Sequence, residues 1–507
     1  MNTRVKVFVF TVVIGALGML GYHFLEPVIF GDEKIESSDA RDMKGQIRIG
    51  VDNWIGYFPL CSQNLKSRLA STGYLIQCED DKADYAERFK KLKRGKLDFA
   101  VATADAYLLS GKKFDYPGTV VAVIDESKGG DAVIARADAV ANINELRKKP
   151  VRIAFTPASP SEFLLKSMSV HFDVERLLRH GKWKVEADGS SEALKMLKMG
   201  EVEVAVLWEP EVTRALSDQR FKKLLSSRDT SQLIVDVLIV NRDFSLKHPE
   251  VVKLLLANYF RTLKFYRENS TELAKQVKKE TGLKAKEVES MLAGVAWQTL
   301  SDNARRWFGI SDRSDEALVN TIDSVVDVFK QTGDLTSHPL PDGNPYVIQN
   351  RGFIEELNRA GLSTEGQAKG QTGFKELSPA AWDKLEDVGT LKIRPISFQS
   401  GSNSLTEEGA QELKEMVRSL KLFPNFRVVI KGHTGLRGDQ LANKKLSSQR
   451  AKTVKAFLVN SMKIDPNRLR ALGLGSGEPL PRKPGESNRA YGYRLPRVEL
   501  KLVSEVY

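Results

Sequence analysis

The chain has little of the residues that most directly announce chemistry. Only two cysteines and six histidines occur in 507 residues, too few for a cysteine-held cluster and too scattered for a zinc site. It contains no H-E-x-x-H, no G-x-S-x-G and no phosphate-binding glycine loop ahead of a helix, so common hydrolytic and nucleotide-handling frameworks lack their parts. An enzyme is not expected, nor is a cofactor or a metal. Long basic runs and base-stacking aromatic motifs are missing too, which sets nucleic acid aside as a partner. No internal repeat or low-complexity tract is present.

With 28% charged and 41% apolar residues, the chain suits soluble globular domains, and its length suits two or three of them. The formal net charge of +12 favours anionic surroundings such as phospholipid headgroups or cell-wall polymers. One long apolar run stands out, VFVFTVVIGALGMLGY over residues 7–22, continuing to Phe30 with only His23 and Glu26 interrupting. It is long enough to cross a bilayer as a helix. Arg4 and Lys6 precede it, and Asp32, Glu33 and Glu36 follow, so the N-terminus is expected in the cytoplasm and the bulk of the chain outside. Residues 1–30 are thus a cytoplasmic start plus a single-pass anchor, and residues 31–45 a polar spacer. A cleavable signal peptide is the competing reading, without a small-x-small cleavage site to support it. In an oxidising compartment Cys61 and Cys78 would form one disulfide, worth about 3 kcal/mol on the chain-entropy model; two buried free thiols are the alternative.

From Gly45, strand-like QIRIGVD leads through Trp54, Gly56 and Pro59 into a helical stretch. YLIQCED precedes a charged amphipathic helix, Tyr85 to Arg94, and KLDFAVATADAYLL reads as a buried strand running at once into a helix. Further strands fall at 118–124, 132–135, 151–155, 183–186 and 203–207. This alternation predicts an α/β architecture with a parallel sheet covered on both faces. The segments Trp54-Ile-Gly-Tyr, Leu97-Asp-Phe-Ala, Gly130-Asp-Ala-Val-Ile, Gly200-Glu-Val-Glu-Val-Ala with Trp208-Glu-Pro, and Asp236-Val-Leu-Ile-Val with His248-Pro-Glu resemble a periplasmic substrate-binding protein of the nitrate, sulfonate and taurine ABC type. That resemblance implies a two-lobed domain over 46–360. Lobe one would be about 46–105 with 236–360, lobe two about 106–235, and residues 245–330 mainly helical.

Residues 361–375, containing GLSTEGQAKGQT, read as a flexible linker. Beyond it the order is a strand LKIRPISF, a helix with Leu413, Met416, Val417 and Leu420 on its apolar face, a strand over 426–430, a polar loop and a second helix. The loop and helix read GHTGLRGDQLANKKLSSQRA, residues 432–451. They resemble the peptidoglycan-binding signature of OmpA-like C-terminal domains through Gly432, His433, Thr434, Asn443, Leu446, Ser447, Arg450 and Ala451. Residues 376–507 are accordingly expected to form an α+β OmpA-like domain. The family's aspartate is Gly435 here, and a family-typical Asn-Arg-Arg reads Leu495-Pro496-Arg497.

The resemblances imply two binding sites. At the wall site Arg450 would grip a stem-peptide carboxylate, since a planar guanidinium can make two parallel bonds to it. Asn443 and Thr434 would assist, and Asp439 would stand in for the missing acid. In the interlobe cleft Trp54, Thr103, Asp105, Thr156, Ser159, Ser161, Trp208 and Glu209 would contact a small anionic solute, with helix amides near Thr156 to Ser161 holding the anion. The expected partners are peptidoglycan, this small molecule and the inner membrane of a Gram-negative envelope, with the bulk of the chain periplasmic. An ABC permease would be a partner if the chain is a solute receptor. A structural or stress-response protein whose lobes bind another protein is the remaining alternative.

Overall fold

A computed structural model describes residues 43–178, 181–310, 316–361, 373–399 and 401–505. The expected anchor at 1–30, nearly all of the spacer and most of the linker lie outside the described residues. Among the described residues no helix is long and apolar enough to cross a membrane.

The first part of the chain contributes β1 (Gly45–Val51), β2 (Tyr74–Asp80), β3 (Phe99–Thr103) and β4 (Gly118–Ser127). Then follow β5 (Asp131–Arg136), β6 (Ile153–Phe155), β7 (Lys184–Glu186), β8 (Val204–Trp208) and β9 (Phe221–Ser226), and finally β10 (Val235–Asn241) and β11 (Val295–Trp297). They form a six-stranded sheet ordered β11-β4-β10-β3-β1-β2 and a five-stranded sheet ordered β7-β6-β8-β5-β9. Each sheet is the centre of one lobe. The strands β3, β4 and β10 are buried along their whole length, as near-continuous Val, Ile, Leu and Ala runs require when helices cover both faces.

The chain crosses between lobes after β4 and again before β10. The lobe boundary expected near residue 105 therefore moves to about residue 128, because β4 pairs antiparallel with β10 inside the first sheet. That sheet is also mixed rather than parallel, with β10 and β11 running against their neighbours. The expected helical stretch is interrupted by β11, whose Val295 to Trp297 pair with β4. Cys61 and Cys78 form a disulfide, fastening the start of the Gln63–Ala70 helix to β2.

The C-terminal domain has a sheet ordered β12-β15-β13-β14, built from β12 (Glu386–Thr390), β13 (Arg427–His433), β14 (Leu469–Gly475) and β15 (Arg497–Ser504). The first strand is β12, upstream of the expected LKIRPISF, in which Pro395 lacks the N–H a ladder needs. Helices Glu407–Leu422 and Gln440–Asn460 cover one face. A Cβ on Gly432 would lie 2.2 Å from the Ser447 carbonyl oxygen, and one on Gly473 2.3 Å from the Ser448 nitrogen. These glycines let the signature helix lie directly on β13 and β14.

This domain packs on lobe two. The Phe423 ring meets Phe172 and His171 edge-on at 5.1 and 5.7 Å. Ser231 N–H donates to the Leu422 carbonyl at 2.8 Å, and Lys392 N–H to the His171 carbonyl at 2.7 Å. Arg147 donates to the Thr390 carbonyl at 3.0 Å, and Lys392 pairs with Asp173 at 3.0 Å. Burial pushes the His171 imidazole down to about 4, so it is neutral in this contact.

Candidate functional site

At the interlobe cleft, buried apolar strands end in acids. β4 runs GTVVAVIDES and β10 begins VDVLIVN, and their register sets Asp236 directly opposite Asp125. Asp236 is also opposite Thr103 on β3. Residues directly opposite one another project from the same face, so Thr103, Asp236 and Asp125 form one row across the sheet. Asp105 is the second residue of the Ala104–Ser110 helix that follows β3. From lobe two, Asp131 opens β5 and Glu209 follows β8; Asp105 and Glu209 both lie close enough to Asp131 to push its pKa up.

Hydrogen-bond donors hold this row in place. Trp54 Nε1 donates to Asp125 Oδ1 at 3.2 Å, and the Tyr57 hydroxyl donates to Asp236. Ser127 Oγ donates to Asp131 Oδ2 at 2.6 Å. Glu209 Oε1 accepts from Thr213 Oγ1 at 2.8 Å and from Ser290 Oγ at 3.0 Å, tying lobe two to lobe one. Glycines make room for the tryptophan: a Cβ on Gly130 would lie 2.3 Å from its ring, and one on Gly56 2.1 Å from Asp125 Oδ2.

Burial raises the pKa of Asp105 to about 6 and of Asp125 and Asp131 to about 7. Asp236 is raised further, first by burial and then by Asp125. No Lys or Arg forms an ion pair with Asp105, Asp125, Asp131, Asp236 or Glu209 among the described residues. Nearby cations serve other acids: Arg88 pairs with Asp52 and Asp81, Lys128 and Arg306 with Glu126, and Lys166 with Glu162 and Asp334.

Trp54, Thr103, Asp105 and Glu209 are thus gathered where sequence reasoning put them. Thr156 and Ser161 have hydroxyls buried without a partner, whereas Ser159 caps its helix, accepting from Ser161 N–H at 3.2 Å. Trp208 is half-buried opposite Asp131 in the β5–β8 ladder. In the Thr156 to Ser161 turn, where the anion seat was expected, Glu162 accepts the Ala158 N–H at 2.7 Å. The cleft gathers acids that have no ion-pair partner among the described residues, and the Arg228 guanidinium, in no ion pair among them either, flanks Gly129 at the crossover between lobes. Asp125, Asp131, Asp236 and Tyr57 were missed, although an acid inside an apolar run, as in AVIDES and IVDVLIV, is a legible signal.

At the wall site Arg450 is half-buried, donates once to the Ser402 carbonyl at 3.1 Å and lies over Phe398, 4.9 Å from the ring centroid. No carboxylate pairs with it among the described residues, and burial lowers its pKa. Thr434 is buried with its hydroxyl unpartnered. Asn443 donates to the Arg437 carbonyl at 3.0 Å, bracing the loop. Asp439 caps the signature helix, accepting from Ala442 N–H at 2.8 Å, a structural role of its own. Open space surrounds a Cβ built at Gly435. His433, fully buried, stands 3.6 Å from Glu499. Burial raises the Glu499 pKa, but His433 and Arg497 outweigh it and leave it at about 2.

The folds and sites define a two-lobed α/β domain followed by a small cation-rich α+β domain. Residues 397–491 match the OmpA family model, so the C-terminal region carries an OmpA domain. Over 119 residues the chain is 27% identical to outer membrane protein Omp38 of Acinetobacter baumannii, covering 24% of this chain and 33% of that protein. Over 137 residues it is 27% identical to the peptidoglycan-associated lipoprotein of Agrobacterium fabrum, covering 27% and 77%. The match thus spans only about a third of Omp38. The two-lobed part is similar to the periplasmic aliphatic sulphonate binding protein SsuA of Escherichia coli, at 15% identity and a TM-score of 0.46, covering 62% of this chain and 96% of that one.

Proposed function

We propose that this is an envelope protein that attaches to peptidoglycan through its OmpA domain and holds a small solute between its two lobes. It acts by binding alone. The segment at residues 7–30 anchors it in the inner membrane, with the lobes and the OmpA domain in the periplasm. The observation that carries the wall reading is Arg450, a half-buried guanidinium on the signature helix with one backbone acceptor and no acid partner among the described residues. A desolvated cation of this kind gains by gripping a carboxylate with two parallel bonds. Charge distribution supports it too. From residue 373 to the end there are 24 Lys and Arg against 14 Asp and Glu, whereas the preceding residues have 53 against 51.

Retention of the full-length chain on purified sacculi tests this. Arg450→Ala is expected to lose at least tenfold in retention, about 1.4 kcal/mol. Equal retention of variant and wild type would remove Arg450 from the site and with it the main support for wall attachment.

A further inference from the structure

We propose that the interlobe cleft takes a small organic cation, with an ammonium group seated among Asp125, Asp236 and Asp131 and covered by the Trp54 ring. The inference rests on the reading of the lobes as a solute-binding domain and names the ligand class.

Three independent observations carry it. Five carboxylates from both lobes converge with no ion-pair partner among the described residues, while Arg88, Lys128, Lys166 and Arg306 hold different acids and the exposed Arg228 lies against Gly129 rather than on any of the five. Burying ionisable acids together is costly unless something compensates them. Second, the cluster contains buried polar atoms that no bond of good geometry satisfies. Thr103 Oγ1 and Asp105 Oδ1 lean on one another, as do Asp125 and Asp236 across the ladder, and the strand register turns Thr103 to the same face as Asp236 and Asp125. An ammonium, with donors and no acceptor, fits a row of acceptors and a hydroxyl. Third, Trp54 both donates to Asp125 and lies against Gly130, where the chain crosses between lobes. An indole face is the strongest aromatic surface for a cation.

A metal ion fits less well. No group of three or more His, Cys, Asp or Glu among the described residues is arranged to hold one.

Isothermal titration and thermal melting of the full-length chain at pH 8 provide the test, with putrescine and ethanolamine as cationic probes and methanesulfonate and nitrate as anionic ones. A cationic probe is expected to bind and raise Tm, and the anions to do neither. Asp131→Asn is expected to weaken that binding at least tenfold while raising the Tm of the ligand-free chain, since it removes a buried charge and keeps the side-chain shape. A merely structural role for Asp131 would not move affinity and stability in opposite directions. Trp54→Phe, which leaves all the acids in place, is expected to weaken binding about threefold. Binding of an anion instead would overturn the cation while leaving the solute-binding reading intact. No response to any of the four probes would overturn both. Unchanged affinity in Asp131→Asn would also overturn the proposed seat.

Discussion

The two halves of this protein handle charge in opposite ways. The lobes are close to neutral overall, yet bury five acids without cationic partners among the described residues at their meeting surface. The OmpA domain has most of the excess of basic residues, and its Arg450 keeps part of its guanidinium in solvent. A net charge of +12 taken over the whole chain points towards anionic partners everywhere. On the proposals made above, that inference would serve the last domain and reverse in the cleft, because net charge describes the long-range field whereas a pocket answers to the few groups lining it.

The largest effect that would sharpen the contrast is on pH-dependent stability. Asp105, Asp125 and Asp131 titrate at about 6, 7 and 7 when folded, above the ordinary aspartate value near 4. Asp125 faces Asp236, Glu126, Asp131 and the Trp54 N–H, and Asp131 faces Asp105, Glu209 and Ser127. The folded lobes therefore hold protons that the unfolded chain has released, and stability falls as pH rises from about 4 to 7. A loss of several kcal/mol is expected by pH 8, because each tenfold difference in proton affinity between the folded and unfolded chain corresponds to about 1.4 kcal/mol. In the OmpA domain Glu499 is held at about 2, so its contribution is present above pH 4 and is lost as pH falls towards 2. Thermal melts from pH 5 to 8 should show the lobes' transition moving down and the OmpA domain's staying in place. Parallel movement of both transitions would break the comparison.

Much of the fold is legible in the sequence, and for stated reasons. The apolar runs FAVAT and VDVLIVN become fully buried strands, and the helical spacing after the signature loop becomes the Gln440–Asn460 helix. Gly432 can be read as part of the signature, and its reason is the 2.2 Å approach to Ser447. What escaped was long-range pairing. Nothing local in GTVVAVIDES says that β4 lies beside β10 some hundred residues later, and the lobe boundary depends on that neighbour. The same pairing hides the cleft, since Asp125 and Asp236 become a site only when the register sets them opposite each other. At the wall site the key residues were legible, but the role of Asp439 was not: its cap on Ala442 depends on where the helix begins.

A smaller effect concerns salt. The Debye length shortens from about 14 Å at 0.05 M to about 4 Å at 0.5 M, so exposed charges are screened far more than buried ones. Retention on sacculi is expected to weaken about tenfold over that range. The affinity of a cationic probe for the cleft should change less than threefold, because the acids there are buried. Equal sensitivity of the two would mean that the cleft is open to solvent or that the wall contact is not ionic.

The smallest effect is expected at Gly435, and it bears on what the wall site reads. The residue is not left-handed and has room for a side chain, so Gly435→Asp adds an acid beside Thr434 without strain. An acid there can receive an ammonium lying next to the carboxylate that Arg450 is proposed to grip. The wild-type site has no such acid among the described residues, since Asp439 is spent on its helix cap. A soluble stem peptide ending in an amino-carboxylate should therefore bind the wild type equally well whether its side-chain amine is free or acetylated. Gly435→Asp should favour the free amine by about threefold, roughly 0.7 kcal/mol, measured by titration of the full-length chain. If the wild type already prefers the free amine, another acid serves the site and the glycine is no loss. If it does not, the domain grips the carboxylate alone, and acylation of the neighbouring amine, as in cross-linked stems, leaves its binding unchanged.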